Sequence, residues 1–260
     1  MRAANIFVPE IFRMHIDAAT QLLLDARHSG LALDWRRLAV GDADTAYAVQ
    51  DAQLRRLGPV GGWKVGSKGD GSLPGCAPLP VCGVVASGAE LHGPQWRMRG
   101  LEVELALQVG RDYDPGEQVP DEAALRTVFD AILPAIEVVE TRLGHPPCTN
   151  PWAGMADLQS HGALIIGTAQ PLPATLSLRQ VAASLHIDGQ EITRTLGGNP
   201  ADLWPMLGWL ALHCARRGQP WRQGQVITTG SCTGLQLARA GRQIEAALEG
   251  IGAVSFSFAG

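Results

Sequence analysis

The sequence predicts an α+β fold, a rolled mixed β-sheet with helices packed outside it and a helical segment at the N-terminus. Helical periodicity dominates the start of the chain, short apolar segments separated by glycine turns follow it, and the strict strand–helix alternation of a doubly wound sheet is missing. Because no linker divides the 260 residues, we expect one catalytic domain. Within it, residues 1–58 would form a helical cap and residues 59–260 a β-rich body.

Two helices are expected in the cap. Residues 17–27 place apolar side chains on one face, and Gly30 can end that helix in a left-handed conformation. Asp44 can cap a second helix over residues 45–57, with Gly58 just past its end.

The body is expected to hold many short strands. The clearest covers residues 101–110, where apolar side chains alternate with Glu102, Glu104, Ala106 and Gln108. Asp188-Gly189 between apolar flanks predicts a hairpin. Further strands are expected over residues 61–66, 134–141, 163–167, 226–230, 243–248 and 254–258. Helices are expected over residues 122–132 and 203–214, and glycine- and proline-rich loops over residues 67–80 and 144–154.

Composition excludes several classes of function. With 46% hydrophobic residues, 18% charged residues and a net charge of −4, the chain gives no electrostatic reason to expect nucleic acid or an anionic membrane as partner. Its five cysteines are odd in number and include no Cys-x-x-Cys pair, which argues against a disulfide framework or a thiolate zinc site. No signal peptide and no apolar stretch of about 20 residues is evident. A cytoplasmic location is therefore expected.

Glu102 and Glu104 are the first candidate site residues. Side chains two positions apart on a strand point the same way, so both carboxylates could converge on one cation. Oxygen-only ligation favours a hard ion such as Mg²⁺ or Mn²⁺. The alternative is that both glutamates lie on the wet face of a half-buried sheet.

Glu137 is the second candidate, because it lies inside an apolar run where an ionised carboxylate needs a partner. It could be a third ligand for the same ion. Alternatively, it could pair with an arginine such as Arg142, or lie at an exposed edge.

Lys64 lies between Trp63 and Val65 in a glycine-flanked segment, which leaves its side chain little room to reach solvent. A partly desolvated lysine can act as an acid or base or bind a carboxylate. The alternative is a surface lysine on an edge strand.

Three further segments are candidates with ordinary structural alternatives. The hydroxyl-rich residues 229–233 could bind a substrate carboxylate or form a simple turn. Asp157 could orient a catalytic group or cap a turn. Residues 197–200 could line a substrate site or simply lead into a helix. No Gly-x-Ser-x-Gly, P-loop or dinucleotide-binding motif occurs, so a nucleotide cofactor is not supported.

Together these segments resemble the fumarylacetoacetate hydrolase superfamily, in the branch of 2-keto-4-pentenoate hydratase and 4-oxalocrotonate decarboxylase. The most specific segments are Gly-Trp-Lys-Val-Gly at 62–66, Leu-Glu-Val-Glu-Leu-Ala at 101–106 and Leu-Pro-Ala-Ile-Glu-Val-Val at 133–139. The resemblance implies Mg²⁺ or Mn²⁺ held by Glu102, Glu104 and Glu137. It also implies that Lys64 and Gly66 lie beside the substrate, that Ser231 and Thr233 line the pocket, and that Asp157 belongs to the site.

The resemblance further implies a lyase acting on a small anionic 2-oxo acid, in a homo-oligomer. Hydration of a 2-hydroxyalka-2,4-dienoate to a 4-hydroxy-2-oxo acid is the leading expectation. Decarboxylation of a 4-oxalocrotonate-like acid needs the same ligands. C–C hydrolysis needs a histidine with an acidic partner. His92 is the nearest histidine before Glu102, and nothing in the sequence places an acid beside it. A non-catalytic metabolite-binding member is the remaining alternative, because the residues that follow Gly66, and Leu158 itself, depart from the hydratase pattern.

Overall fold

Two mixed sheets and five α-helices make up the protein in the computed structural model, which describes residues 10–144 and 148–260. The helices are α1 (Glu10–Ser29), α2 (Ala43–Leu57), α3 (Glu122–Arg126), α4 (Pro151–Ala156) and α5 (Leu203–Arg216). The strands are β1 (Val60–Gly66), β2 (Gly75–Pro80), β3 (Val84–Ala86), β4 (Ala89–Leu91), β5 (Gly100–Val109), β6 (Phe129–Val139), β7 (His161–Ile166), β8 (Gln170–Pro171), β9 (Ala182–Ile187), β10 (Gln190–Leu196), β11 (Val226–Ser231), β12 (Gln236–Leu237), β13 (Gln243–Leu248) and β14 (Gly252–Phe258). The α+β prediction is confirmed.

The larger sheet has nine strands and carries the candidate residues. Its main path runs β2-β1-β11-β5-β6-β7-β3, with β12 paired to β5 and β8 paired to β6. The β1–β11 and β3–β7 pairs are parallel, whereas β5 runs antiparallel to both of its long neighbours. The smaller sheet has the order β10-β9-β13-β14-β4. In the described part of the chain, no helix is both long and apolar enough to cross a bilayer.

Strand β5 is buried on both faces. One face, which includes Leu101, Val103 and Leu105, packs in the main hydrophobic core. On the other face Glu104 is 2% exposed, and Ala106 belongs to a second apolar cluster. A solvated outer face is therefore the wrong interpretation of this strand, because buried side chains lie on both of its faces.

The N-terminal helices are tied to the body by buried polar side chains. The Gln50 side chain of α2 donates to the carbonyls of Cys76 and Met155, and Gln53 donates to the carbonyl of Ala156. Asp42, rather than Asp44, caps α2, because its carboxylate accepts from the Thr45 N–H at 2.7 Å. The division at residue 58 stays a prediction.

Three predicted segments differ from the structure. The expected loop over residues 67–80 contains β2, which pairs with β1 despite its prolines because its other side is a sheet edge. The expected helix over residues 122–132 stops at Arg126, and its apolar end starts β6, where long-range pairing overrides the local pattern. The expected loop over residues 144–154 includes α4, which Asn150 caps.

Candidate metal and substrate site

Three carboxylates meet on one side of β5 and β6. Glu102 of β5 lies directly opposite Glu137 of β6 in the antiparallel register, and Glu104 follows two residues along the same face. One oxygen from each of the three lies within 4.8 Å of the others. Glu104 and Glu137 are buried and Glu102 is half-buried. The sheet thus brings together the three residues that the sequence singled out.

Burial and mutual repulsion shape the ionisation of this trio. Burial and the charge of Glu137 raise the pKa of Glu104 to about 8, against the opposing effect of Lys64. The pKa of Glu102 is raised by the same two causes. Burial alone would also raise the pKa of Glu137, but Lys64 and His161 together bring it below its ordinary value. The positive charge of Lys64 is therefore too small for all three carboxyls to ionise. A divalent cation would supply the missing positive charge.

Lys64 supplies the cationic neighbour of Glu137. Its Nζ lies 2.5 Å from Glu137 Oε1 and 3.0 Å from the carbonyl oxygen of Gln159. Lys64 lies on β1, three strand positions from β6, a separation of about 14 Å in a flat sheet. The contact shows how strongly the sheet is rolled. It also excludes a solvated edge lysine and an Arg142 partner for Glu137.

Several buried oxygens in this site have no hydrogen-bond partner among the described residues. They include Glu137 Oε2, Ser231 Oγ and Thr228 Oγ1. Ser231 lies opposite Glu104 in the β5–β11 register, so its hydroxyl shares the face of the trio. A buried oxygen without a donor is costly, and a bound cation or ligand group removes that cost. The residues present therefore fit a hard divalent metal ion.

Tight packing brings the lysine strand close to the strand that carries Ser231. A Cβ added at Gly62 would lie 2.1 Å from the carbonyl oxygen of Val226, so only glycine permits this approach of β1 and β11. Farther along, Gly66 lies against Gly230. Gly66 and Ser231 are therefore neighbours in space. Their roles toward substrate stay predictions.

His161 is a member of the site that the sequence did not indicate. It is fully buried at the start of β7, and its Nδ1 lies 3.6 Å from Glu137 Oε1. Burial lowers its pKa to about 4, with Glu137 opposing that effect. A neutral imidazole is thus packed against the third carboxylate. A lone histidine preceding a predicted strand carries no spacing signal that could have identified it.

A strained turn holds the lysine. Leu158, Gln159 and Ser160 have φ angles of 49°, 50° and 60°, and non-glycine residues rarely adopt this left-handed conformation. The carbonyl of Gln159 in the middle of this turn accepts from Lys64. Such strain persists only where the surrounding structure enforces it, and it concentrates at functional sites.

Asp157 anchors that turn. Its carboxylate accepts from the Thr141 hydroxyl at 2.9 Å, from the Arg142 N–H at 3.0 Å and from Arg142 Nε. Both oxygens are therefore engaged by neighbouring side chains and backbone. A direct catalytic role for Asp157 stays a prediction, whereas its geometry is that of a positioning residue.

Thr233 is likewise engaged. Its hydroxyl accepts from the Val103 N–H at 3.2 Å and donates to the carbonyl of Gly234 at 3.1 Å. These contacts tie the turn after β11 to β5. Its role in lining the substrate pocket stays a prediction.

Asn199 links the loop before α5 to the trio. Its buried side-chain amide donates to the carbonyls of Thr229 and Gly230, each at 2.8 Å. The Gly230 N–H donates in turn to Glu104 Oε2 at 3.0 Å. Asn199 therefore fixes the peptide that orients Glu104. The sequence predicts residues 197–200 either as a loop that lines a substrate site or as a plain helix entry, and it gives no sign of this contact.

Replacing Asn199 with alanine is expected to weaken metal binding about 10- to 100-fold, the usual effect of losing an outer hydrogen bond to a ligand. The physical reason is that the Gly230 peptide loses both restraints and no longer orients Glu104. A Mn²⁺ titration followed by electron paramagnetic resonance measures the change. Asn150→Ala is the control, because it removes a helix-capping asparagine at α4. Equal Mn²⁺ affinity in Asn199→Ala and wild type would contradict a positioning role.

His92 does have an acidic neighbour, contrary to the sequence expectation. Its Nε2 lies 3.0 Å from Glu90 Oε2, but the two side chains are 67% and 54% exposed. Glu90 belongs to β4 in the smaller sheet, whereas the trio lies in the larger one. This exposed pair has none of the burial that a water-activating dyad requires.

Similarity to known proteins extends over most of the chain. Residues 79–259 match the family model described as fumarylacetoacetate (FAA) hydrolase C-terminal. A 2-keto-4-pentenoate hydratase from Dechloromonas aromatica is 28% identical and covers 98% of this chain and 99% of its own. A hydratase from Pseudomonas putida, named for acting on the TodF product, is 29% identical over 93% of this chain and 94% of its own.

Solved structures share the fold. A 4-oxalocrotonate decarboxylase from Pseudomonas putida G7, complexed with magnesium and adipate, superposes with a TM-score of 0.81 at 20% identity. The match covers 95% of this chain and 98% of the decarboxylase. A 2-hydroxyhepta-2,4-diene-1,7-dioate isomerase from Mycobacterium marinum has a TM-score of 0.57 at 14% identity, with 77% of this chain and 76% of the isomerase covered.

Proposed function

Because this chain belongs to the fumarylacetoacetate hydrolase family, we propose that it is a divalent-metal-dependent hydro-lyase. The reaction proposed is hydration of a 2-hydroxyalka-2,4-dienoate to a 4-hydroxy-2-oxo acid. The convergence of Glu102, Glu104 and Glu137 beside Lys64 is the observation that carries this proposal. Relatives with hydratase names, matched over nearly their whole length, support the hydratase class. At 28–29% identity they support that class rather than one particular substrate.

The metal proposed is Mg²⁺ or Mn²⁺, held by the three glutamates. An all-oxygen donor set suits these hard ions, and the decarboxylase of the same fold is complexed with magnesium in one structure and calcium in another. When bound, such an ion supplies Lewis-acid stabilisation of negative charge on the 2-oxo oxygen of the substrate. The small acid is the only partner proposed besides a second copy of the chain in a homo-oligomer.

In this proposal Lys64 binds or protonates the substrate. Its ammonium has three N–H groups, of which Glu137 and Gln159 take two. The third has no partner among the described residues and is available to bind a substrate carboxylate or to give a proton to the substrate. The dienol gains a proton at its terminal carbon to form the conjugated 2-oxo acid, and water then adds across the remaining double bond. The Ser231 hydroxyl, on the same face, would bind either the substrate or the incoming water.

Decarboxylation is the second candidate, and the TM-score of 0.81 to a decarboxylase favours it on fold alone. The same site would then hold the electron pair left when a carboxylate departs as CO₂. C–C hydrolysis is a weaker alternative because the His92–Glu90 pair is exposed. A non-catalytic member is the remaining one, since Ser67-Lys68-Gly69-Asp70 departs from the hydratase pattern beside Lys64.

The deciding experiment offers chelator-treated protein two substrates, with and without Mg²⁺. Loss of the dienol absorbance of 2-hydroxypenta-2,4-dienoate, with formation of 4-hydroxy-2-oxopentanoate, is expected only with metal. CO₂ release from 4-oxalocrotonate without hydration would instead establish the decarboxylase. No turnover of either substrate with metal present would support the non-catalytic alternative.

A further inference from the structure

A cavity of about 420 Å³ lies away from the three glutamates, between α1, β3, β7 and the loop that follows β4. We call it the α1 cavity. Its walls include Arg27, Arg97, Glu140 and Arg142, and none of Lys64, Glu102, Glu104 and Glu137. Its volume lies in the range of cavities that bind small molecules.

Positive charge exceeds negative charge around the α1 cavity. Arg142 is paired with Asp157, whereas Arg27 and Arg97 have no carboxylate within ion-pair distance in the part of the chain that the structure describes. Both donate to backbone carbonyls instead, Arg27 to His161 and Arg97 to Thr141. The cavity wall therefore presents two guanidiniums that lack a counter-ion.

Two buried atoms of the cavity residues lack hydrogen-bond partners, counting residues 10–144 and 148–260. One is Arg27 Nε, a donor, and the other is Glu140 Oε1, an acceptor. The other oxygen of Glu140 is fixed by the N–H groups of Met98 and Arg99, at 2.8 and 3.1 Å. Burial and the neighbouring charge of Arg142 lower the pKa of Arg27 to about 9. An anion beside Arg27 would give its Nε a hydrogen-bond partner and would offset the repulsion from Arg142.

The remaining wall of the cavity is apolar. It is formed by side chains from the two N-terminal helices, β3 and the loop after β4, including Leu24, Leu57, Val85 and Trp96. Apolar walls with a few fixed polar groups are the usual composition of a small-molecule site. The Arg27 donor, the Glu140 acceptor and the apolar walls together favour a ligand that has an anionic group, a hydrogen-bond donor and an apolar body.

We propose that the α1 cavity binds a small carboxylic acid with a hydroxyl group and an apolar body. The carboxylate pairs with Arg27 and Arg97, the hydroxyl donates to Glu140 Oε1, and the body packs on Trp96 and its apolar neighbours. This site is separate from the metal site, and its existence does not depend on the proposed reaction. It borders that site through His161, whose carbonyl accepts from Arg27 and whose ring lies against Glu137.

Calorimetric titration of the chelator-treated protein with three matched probes tests the proposal. They are 3-phenyllactate, 3-phenylpropanoate, which lacks the hydroxyl, and 3-phenyl-1,2-propanediol, which lacks the carboxylate. We expect 3-phenyllactate to bind about tenfold more tightly than 3-phenylpropanoate, the equivalent of one good hydrogen bond. The diol is expected to bind least, because the cavity charge attracts an anion.

Four variants locate the binding. Arg27→Gln is expected to weaken 3-phenyllactate at least about tenfold, and Arg97→Gln, at an exposed position, serves if Arg27→Gln does not fold. Glu140→Gln presents an amide N–H in place of the free oxygen, so the tenfold preference for the hydroxyl acid should disappear. Glu104→Gln, in the metal site, should bind as wild type does. Absence of binding at millimolar concentration, or wild-type affinity in both arginine variants, would overturn the proposal, and loss of binding in Glu104→Gln alone would place the ligand in the metal site instead.

Discussion

Glu104→Gln is expected to lower metal-dependent turnover by about 10³-fold or more and to abolish the stabilisation that Mg²⁺ and oxalate together give to the chelator-treated protein. Glutamine keeps the shape of the side chain and can still accept from the Gly230 N–H. It removes one negative charge from a trio whose oxygens lie within 4.8 Å of one another. Because an outer hydrogen bond to a ligand already contributes 10- to 100-fold to metal affinity, a charged ligand contributes more.

The measurement is a thermal melt alongside the turnover assay. Oxalate resembles the planar head of a 2-oxo acid, and a ligand that binds only the folded state raises the melting temperature by mass action. Wild type should need both metal and oxalate for a rise, and Glu104→Gln should show none. The matched control is Glu90→Gln, an exposed glutamate on β4, which should behave as wild type. A rise of equal size in Glu104→Gln would exclude the trio as the metal site.

Local periodicity predicted the parts of the site that lie on regular strands. Alternation along β5 placed Glu102 and Glu104 on one face, and the apolar run around Glu137 required a partner for its charge. The antiparallel register that sets Glu102 opposite Glu137 joins residues 35 positions apart. Such pairing depends on the whole sheet, so the sequence could suggest that the three glutamates meet but could not fix the distances between them.

Residues whose importance comes from tertiary contacts could not be predicted. His161 has no local pattern, and its role follows only from the pairing of β6 with β7. The left-handed turn at residues 158–160 contradicts the preference of each of its side chains, so the contact between Gln159 and Lys64 appears only in the folded chain. The rolling of the sheet similarly brings Lys64 to Glu137. Because that curvature depends on many strands together, a local segment of sequence cannot predict the contact.

Lys64→Met is the second change with a large expected effect. Glu137 is 1% exposed, and Lys64 is its nearest cation, at 2.5 Å. Methionine occupies a similar volume without charge, so the variant leaves three carboxylates facing one another with their ammonium removed. Breaking a buried ion pair by removing one partner typically costs about 3–5 kcal/mol, and protonation of a carboxylate offsets part of that cost. Turnover should fall as well, because Lys64 is the proposed proton donor.

The stability of the metal-free variant should depend on pH in a defined direction. In wild type the pKa of Glu137 is lowered, which favours folding at pH values above the ordinary carboxyl pKa. The pKa values of Glu102 and Glu104 are raised, the latter to about 8, which reduces stability as the pH rises from about 4.5 towards 8. Without Lys64 all three carboxyls should have raised pKa values. The free energy of unfolding should then fall more steeply with rising pH than in wild type.

Urea unfolding at pH 5 and pH 8, with chelator and with Mg²⁺, measures both effects. A divalent ion replaces the missing positive charge, so Mg²⁺ should stabilise Lys64→Met more than wild type, and the difference should be largest at pH 8. Lys68→Met is the matched control, since Lys68 is the only other lysine in the chain and is exposed in the loop after β1. Equal pH dependence in Lys64→Met and Lys68→Met would mean that Lys64 does not neutralise the trio. A lysine contact without that electrostatic role would leave the metal alone to balance the three glutamates.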